Sequence, residues 1–222
     1  MTTANTSLNE SLDRNRKVLH GTRTRAYRAQ IGQFFTPSPI ARFMASLFER
    51  QWQRVRILDA GAGGGALFAA LVEELCAREE TPREIEVVAF EKDASLMARL
   101  EETMRLCRSD CARKGVAFRG EAICDDFIAA AVARLGEDLL GGVGQLFTHA
   151  ILNPPYKKIN GETETRQLLD AAGMPTTNLY AAFVWLSTRL LEKGGELVSP
   201  SRREVSAMAP ISALTAGRCL TW

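Results

Sequence analysis

Four short apolar runs, each ending in a turn and each parted from the next by a helix-length segment, restrict this chain to a small set of folds. Val55 to Leu58 leads into Asp59-Ala60-Gly61-Ala62-Gly63-Gly64-Gly65, and Ile85 to Phe90 leads into Glu91-Lys92-Asp93. Val116 towards Ile123 leads into Cys124-Asp125-Asp126-Phe127, and Phe147 to Leu152 leads into Asn153-Pro154-Pro155-Tyr156. Leu67, Phe68, Leu71, Val72 and Leu75 fall at helical spacing after the first run, Ala94 to Cys111 reads as a helix after the second, and a further helix follows the third. Strands alternating with helices in this way make an α/β protein with a mostly parallel, doubly wound sheet, and the handedness of crossovers leaves few topologies for it. Upstream, Ser38 is expected to cap a helix with Pro39 at its first position, and Ile40, Phe43, Met44, Leu47 and Phe48 form its apolar face. Downstream, Asn178 to Lys193 reads as an amphipathic helix stopped by Gly194-Gly195. Glu196 to Val198 begins a fifth strand, whereas Ser199 to Trp222 shows no strand alternation and reads as an atypical tail.

Ligands of open α/β sheets bind at the carboxyl ends of the strands, so the four turns are the candidate site. Proline fixes φ and restricts the residue before it, which holds Asn153 and Pro154 extended. The Asn153 side chain and the Pro154 carbonyl then present two acceptors to one amino group, Pro155 stiffens the turn, and Tyr156 offers a face to a planar ring. The glycine turn lets backbone approach a ligand closely at a helix N-terminus. It departs from G-x-G-x-x-G, because Ala66 follows Gly61, Gly63, Gly64 and Gly65, so a ligand with an amino-acid head group is favoured over a pyrophosphate. Glu91 suits two ribose hydroxyls. Asp126, or equally Asp125, can accept from an adenine amine while Phe127 stacks on the ring, although either acid can instead cap the next helix.

The 222 residues allow one large domain, or one with a short appendage, and 46% hydrophobic content suits a real core. Apolar stretches fall well short of the ~20 residues that span a bilayer, and the first twenty residues are polar, without the apolar region of a secretory signal. A soluble, cytoplasmic protein is expected. Net charge is only +2, but Arg14, Arg16, Lys17, Arg23, Arg25 and Arg28 cluster with His20 and no acid. Such an arm, residues 1–31, suits phosphate contact, closure over a cofactor, or simple solvation. Cysteines 76, 107, 111, 124 and 219 are scattered and the two histidines are not near them, so reduced, mostly buried thiols are expected rather than a metal site.

Together, Gly32-Gln33-Phe34-Phe35-Thr36-Pro37, the Asp59–Gly65 turn, Glu91, Asp126-Phe127 and Asn153-Pro154-Pro155-Tyr156 resemble the motifs of S-adenosylmethionine-dependent DNA adenine-N6 methyltransferases. The resemblance is closest to restriction–modification or phage-defence enzymes of the Gly-Gln-Phe-Phe-Thr-Pro type. It spans residues ~14 to 198 and implies a Rossmann-like methyltransferase domain over residues 32–198. It also implies that Thr36, Asp59 and Gly61 contact the cofactor's methionine end, Glu91 its ribose, and Asp126 and Phe127 its adenine, with Gly63 among the cofactor-binding residues. Asn153 and Pro154 would accept hydrogen bonds from the target amine, with Pro155 shaping the turn, and Tyr156 would stack on a base extruded from double-stranded DNA. No metal is needed.

The same tetrapeptide is similar to that of methyltransferases acting on a protein glutamine amide or on an rRNA guanine amine, and the Gly-Gln-Phe-Phe-Thr-Pro segment favours DNA adenine over both. In the resembled family the fifth strand continues into further strands and a target-recognition region. Residues 199–222 depart from that pattern, so the expectation is a sheet that lacks its last strands and has a separate or fused target-recognition or nuclease part, with a truncated fragment inactive on its own as the alternative.

Overall fold

In the computed structural model of the chain, residues 36–139, 146–161, 163–200 and 218–221 are described. The basic stretch 14–28, the start of the Gly-Gln-Phe-Phe-Thr-Pro segment and most of the tail lie outside them. In chain order the elements are α1 (Ser38–Ser46), β1 (Arg54–Ala60), α2 (Ala66–Ala77), β2 (Glu84–Phe90), a 3-10 turn (Ala94–Leu96), α3 (Met97–Arg113), β3 (Ala117–Ile123) and α4 (Phe127–Leu139). They continue with β4 (Phe147–Ile151), α5 (Glu164–Ala171), α6 (Leu179–Arg189), β5 (Leu191–Ser199) and β6 (Arg218–Thr221).

The strands form one sheet in the order β3-β2-β1-β4-β5-β6, and each neighbouring pair is parallel. This is the doubly wound sheet expected from the alternating runs. Successive residues of a strand face opposite sides, and each side carries its own core. Ile57, Val87 and Ile151 join α1, α2 and α3 on one face, while Leu58, Val88 and Ala150 join α4 and α6 on the other. A fully buried Ile, Leu or Val side chain in these cores contributes about 1.5–3 kcal/mol. Chain order turns back at β1, whose two neighbours are β2 and β4, and that reversal opens the crevice in which such sheets bind ligands.

Four local expectations change. Pro37, extended at φ −61° and ψ 144°, caps α1 in place of Ser38, which is already helical with Pro39 after it. The buried stripe of α1 is Ala41, Met44 and Ala45, continued by Phe48, whereas Ile40 and Phe43 are 40% and 50% exposed. The helical spacing holds but is rotated by one residue, because the two alanines let α1 lie close to α2. The helix expected to run to Lys193 ends at Arg189, and Gly194-Gly195 lie inside β5 rather than at a helix end. There the register against β4 shifts between Phe147 and His149. Gly194 has φ +89°, and a Cβ on Gly195 would stand 3.0 Å from the Phe147 carbonyl oxygen, so the glycines serve a bulge packed against backbone. Lastly, the supposed tail returns a strand: Arg218–Thr221 pairs with Glu196–Ser199.

Candidate active site at the carboxyl edge of the sheet

The turn after β1 is glycine-rich because its backbone demands it. Gly61, Gly63 and Gly65 have φ of +81°, +58° and +82°, the left-handed region that side chains disfavour. The N–H groups of Gly61 and Ala62 donate to the Phe90 carbonyl at 2.9 and 2.8 Å, which ties the turn to the end of β2. Gly65 cannot be replaced without displacement, since a Cβ there would lie 2.6 Å from the Phe68 ring.

Two acids flank this turn. Asp59 is fully buried. Its Oδ2 accepts from the Phe68 N–H in the first turn of α2 at 3.3 Å, and its Oδ1 has no hydrogen-bond partner among the described residues. Burial pushes its carboxyl up to about 8, against the lowering effect of the Phe68 N–H, with the Glu91 charge adding to the rise. Glu91 receives the Gly63 N–H on Oε2 and the Asp93 N–H on Oε1, both at 2.8 Å. Burial raises its pKa too, and those N–H donors offset part of the rise. Each oxygen keeps a second acceptor site, so the carboxylate is oriented but not exhausted.

Asp126 is held as firmly. Its Oδ1 accepts from the Ile128 N–H at 2.9 Å, capping α4, and its Oδ2 takes the Lys92 ammonium at 2.7 Å. The adjacent Asp125 is exposed and accepts the Asp126 N–H at 2.7 Å, so of the two acids Asp126 is the one set between β2 and β3. Phe127 is only 3% exposed, and its ring packs against Phe90 and Phe183 at centroid distances of 5.5 and 5.2 Å. It enters the site as part of the aromatic core beneath it.

Asn153 stands two residues past the end of β4 and is half-buried. Its Nδ2 donates to the Thr36 hydroxyl at 3.2 Å across 117 residues of sequence. Thr36 leads into α1, and the chain just past that helix is gripped by Glu196: this buried carboxylate accepts the Glu49 and Arg50 N–H groups at 3.2 and 3.0 Å. Pinning the amide nitrogen leaves Oδ1 as the acceptor of Asn153. Pro154 is buried and Pro155 half-buried. The chain beyond Tyr156 is clipped to the start of α6, with the Ile159 N–H on the Thr177 carbonyl (2.7 Å) and the Leu179 N–H on the Lys157 carbonyl (3.0 Å). Tyr156 lies parallel to Tyr180, with centroids 5.3 Å apart and planes 10° apart, and its hydroxyl donates to the Pro200 carbonyl at 3.3 Å.

The structure thus brings Thr36 onto Asn153 and Gly63 onto Glu91, and sets Asp59 and Gly61 at the end of β1 and Asp126 and Phe127 after β3, with β2 between them. Sequence reasoning missed Tyr180, Phe183 and the part played by Lys92. A Cβ on Gly61 would come within 3.5 Å of Phe183, and nothing in the helical spacing of α6 marks either aromatic as a neighbour of the site. Among the described residues no group of histidines, cysteines and acids could hold a metal ion. Cys76, Cys107 and Cys111 are buried free thiols, and Cys124 is exposed.

A doubly wound parallel sheet with a glycine turn, two oriented acids and Asn-Pro-Pro-Tyr on one edge defines a Rossmann-like methyltransferase fold. The chain belongs to the N-6 DNA Methylase family, whose sequence model matches residues 20–198. It is 43% identical over 174 residues to the type II methyltransferase M.BsuBI of Bacillus subtilis, covering 77% of this chain and 33% of that one. To the type II methyltransferase M.PstI of Providencia stuartii it is 36% identical over 197 residues, covering 89% of this chain and 38% of that one. The chain therefore spans little more than a third of the length of these relatives. Among solved structures it is similar to a Listeria monocytogenes protein described as a class I S-adenosylmethionine-dependent methyltransferase. That likeness has a TM-score of 0.59 at 15% identity, over 83% of this chain and 51% of the other, and it concerns the fold.

Proposed function

We propose that the chain carries the methyl-transfer part of a site-specific DNA-methyltransferase that modifies adenine N6 in double-stranded DNA within a restriction–modification or defence system. The observation that carries the reading is the hydrogen bond from Asn153 Nδ2 to Thr36, which leaves Oδ1 as an acceptor beside the glycine turn of β1. An exocyclic amine is a poor nucleophile because its lone pair is delocalised into the ring. Accepting hydrogen bonds from its two N–H groups at Asn153 Oδ1 and the Pro154 carbonyl localises that pair on nitrogen, and a rigid turn does so without reorganisation.

The residues suit S-adenosylmethionine, which supplies a methyl group on a sulfonium. An unpaired buried carboxyl oxygen on Asp59 and the side-chain-free turn at Gly61 and Gly63 match its amino-acid end. Glu91, with one acceptor site left on each oxygen, matches ribose hydroxyls. Asp126 and the aromatic group around Phe127 match the adenine. Tyr156, stacked on Tyr180, is the aromatic of the tetrapeptide that suits stacking on a base extruded from the duplex. Membership of the N-6 DNA Methylase family supports DNA as the substrate, and the exposed Lys158 two residues past Tyr156 suits a flanking phosphate. A target-recognition or nuclease part, separate or fused, would complete the system.

Transfer of a labelled methyl group from S-adenosylmethionine, offered duplex DNA, ribosomal RNA and release factor in parallel, tests the reading. Label in N6-methyladenine of DNA supports it; label in either other acceptor, with none in DNA, overturns it.

A further inference from the structure

The glycine turn is held from behind by a residue that none of the strand ends supplies. Thr103 lies on α3 and is 1% exposed. Its hydroxyl donates to the Gly64 carbonyl at 2.8 Å across 39 residues of sequence, and the Arg99 carbonyl of its own helix is the longer alternative at 3.1 Å. A helical threonine often gives its proton to the carbonyl four residues back; here the shorter bond goes to the turn. The methyl is committed to the same place, since Thr103 Cγ2 stands 2.9 Å from where a Cβ on Gly65 would lie.

The peptide joining Gly64 to Gly65 is thereby fastened at both ends. Its N–H donates to the Ala62 carbonyl at 2.8 Å, and its carbonyl receives the Thr103 proton. With glycine on both sides the backbone has little steric preference of its own, so these two bonds fix the peptide plane. Its place in the turn gives them consequence. Gly63, just before it, sets its N–H on Glu91. Gly65 caps α2, and the Phe68 N–H in the first turn of that helix holds Asp59. The peptide stands in the chain between the N–H groups that orient the two acids.

We infer that Thr103 is a positioning residue, which locks the glycine turn in its binding shape before the cofactor arrives. The inference rests on the proposed S-adenosylmethionine site. Without the hydroxyl, the Gly64 carbonyl is buried without that donor, and the turn must be ordered at the moment of binding, a cost that the native turn avoids. The effect belongs to cofactor binding, not to DNA binding and not to the chemical step.

The test uses the protein in its full-length form. Thr103→Val keeps the shape and removes the donor; Thr103→Ser keeps the donor and removes the methyl. Without cofactor, the amides of residues 61–65 should exchange with solvent deuterium about three- to tenfold faster in Thr103→Val, the range of one hydrogen bond, with β1 and β2 unchanged. The Kd for S-adenosylmethionine, read calorimetrically, and the KM for it should rise by the same factor. DNA affinity and kcat at saturating cofactor stay within twofold. Thr103→Ser keeps both exchange and Kd within twofold of wild type. An unchanged exchange rate or an unchanged Kd in a folded Thr103→Val protein overturns the inference. So does faster exchange spread evenly over β1, β2 and the turn, which marks a general loss of stability. A Thr103→Ser protein with a loosened turn and weakened cofactor binding also overturns it, because the hydroxyl is still there, and that measurement stands even if Thr103→Val does not fold. A wild-type protein that binds no S-adenosylmethionine overturns the functional reading itself, and is told apart because it appears before any substitution is made.

Discussion

Asn153 and Tyr156 divide the work of the site, and their substitutions should separate it. Asn153→Ala removes the acceptor aimed at the reacting amine, and loss of one such preorganised polar group costs on the order of 10²–10³ in kcat. Tyr156→Ala removes a stacking face worth about 1–3 kcal/mol, so its loss should be the smaller and fall mainly on KM for DNA. Both variants should bind S-adenosylmethionine as the parent does, a comparison made by calorimetry beside single-turnover methyl transfer. Methylation undiminished in Asn153→Ala would falsify the proposed chemistry. Lys158→Ala tests the phosphate contact: the slope of log affinity for DNA against log salt should become shallower by roughly 0.9, with kcat unchanged. The types of these residues were legible in the sequence because prolines fix their backbone locally. The Thr36 contact that turns the Asn153 amide was not, because it depends on how α1 lies across β5.

Elements show the same division through their glycines. The turn between β1 and α2 and the bulge in β5 both need glycine, for different reasons. Gly65 combines φ of +82° with a ring 2.6 Å from any added Cβ, whereas Gly115 has φ of +72° with nothing within 4 Å. Gly115→Ala should therefore cost about 1–2 kcal/mol, the conformational term alone. Gly65→Ala should cost more, because Phe68 must also move; urea unfolding of the two variants gives the difference directly. A cost for Gly65→Ala no larger than for Gly115→Ala would show that Phe68 yields freely. The glycine turn was legible as a turn from its composition. Gly194-Gly195 was misread as a helix stop, since a glycine pair after an apolar helix signals an end equally well. Only the approach of Gly195 to the Phe147 carbonyl shows that strand pairing, not termination, requires it.

Across the whole molecule, two buried groups held neutral set how stability responds to pH without cofactor. His149 is fully buried on β4, and burial, with the Arg78 charge adding to it, lowers its pKa from 6.5 to about 3. The unfolded chain therefore binds the extra proton below pH 6.5, and this group costs stability as pH falls towards 3. Asp59 acts oppositely: with its pKa raised from 3.8 to about 8, the folded chain holds the extra proton, and stability declines as pH rises from 4 to 8. The two slopes offset between about pH 4 and 6.5, so stability should be level there and fall between 6.5 and 8. In Asp59→Asn the alkaline fall should vanish; thermal unfolding across that range that falls equally in both proteins would refute the assignment. By itself the sequence determined the alternation of strands and helices, the parallel sheet and the residues at four strand ends, because periodicity and proline or glycine geometry act over a few neighbours. Tertiary structure alone decided the rotation of α1, the bulge and the sixth strand, and it alone set Thr36 on Asn153 and Tyr180 beneath Tyr156. Those features rest on contacts between segments far apart in the chain, whose partners are chosen by packing and not by local pattern.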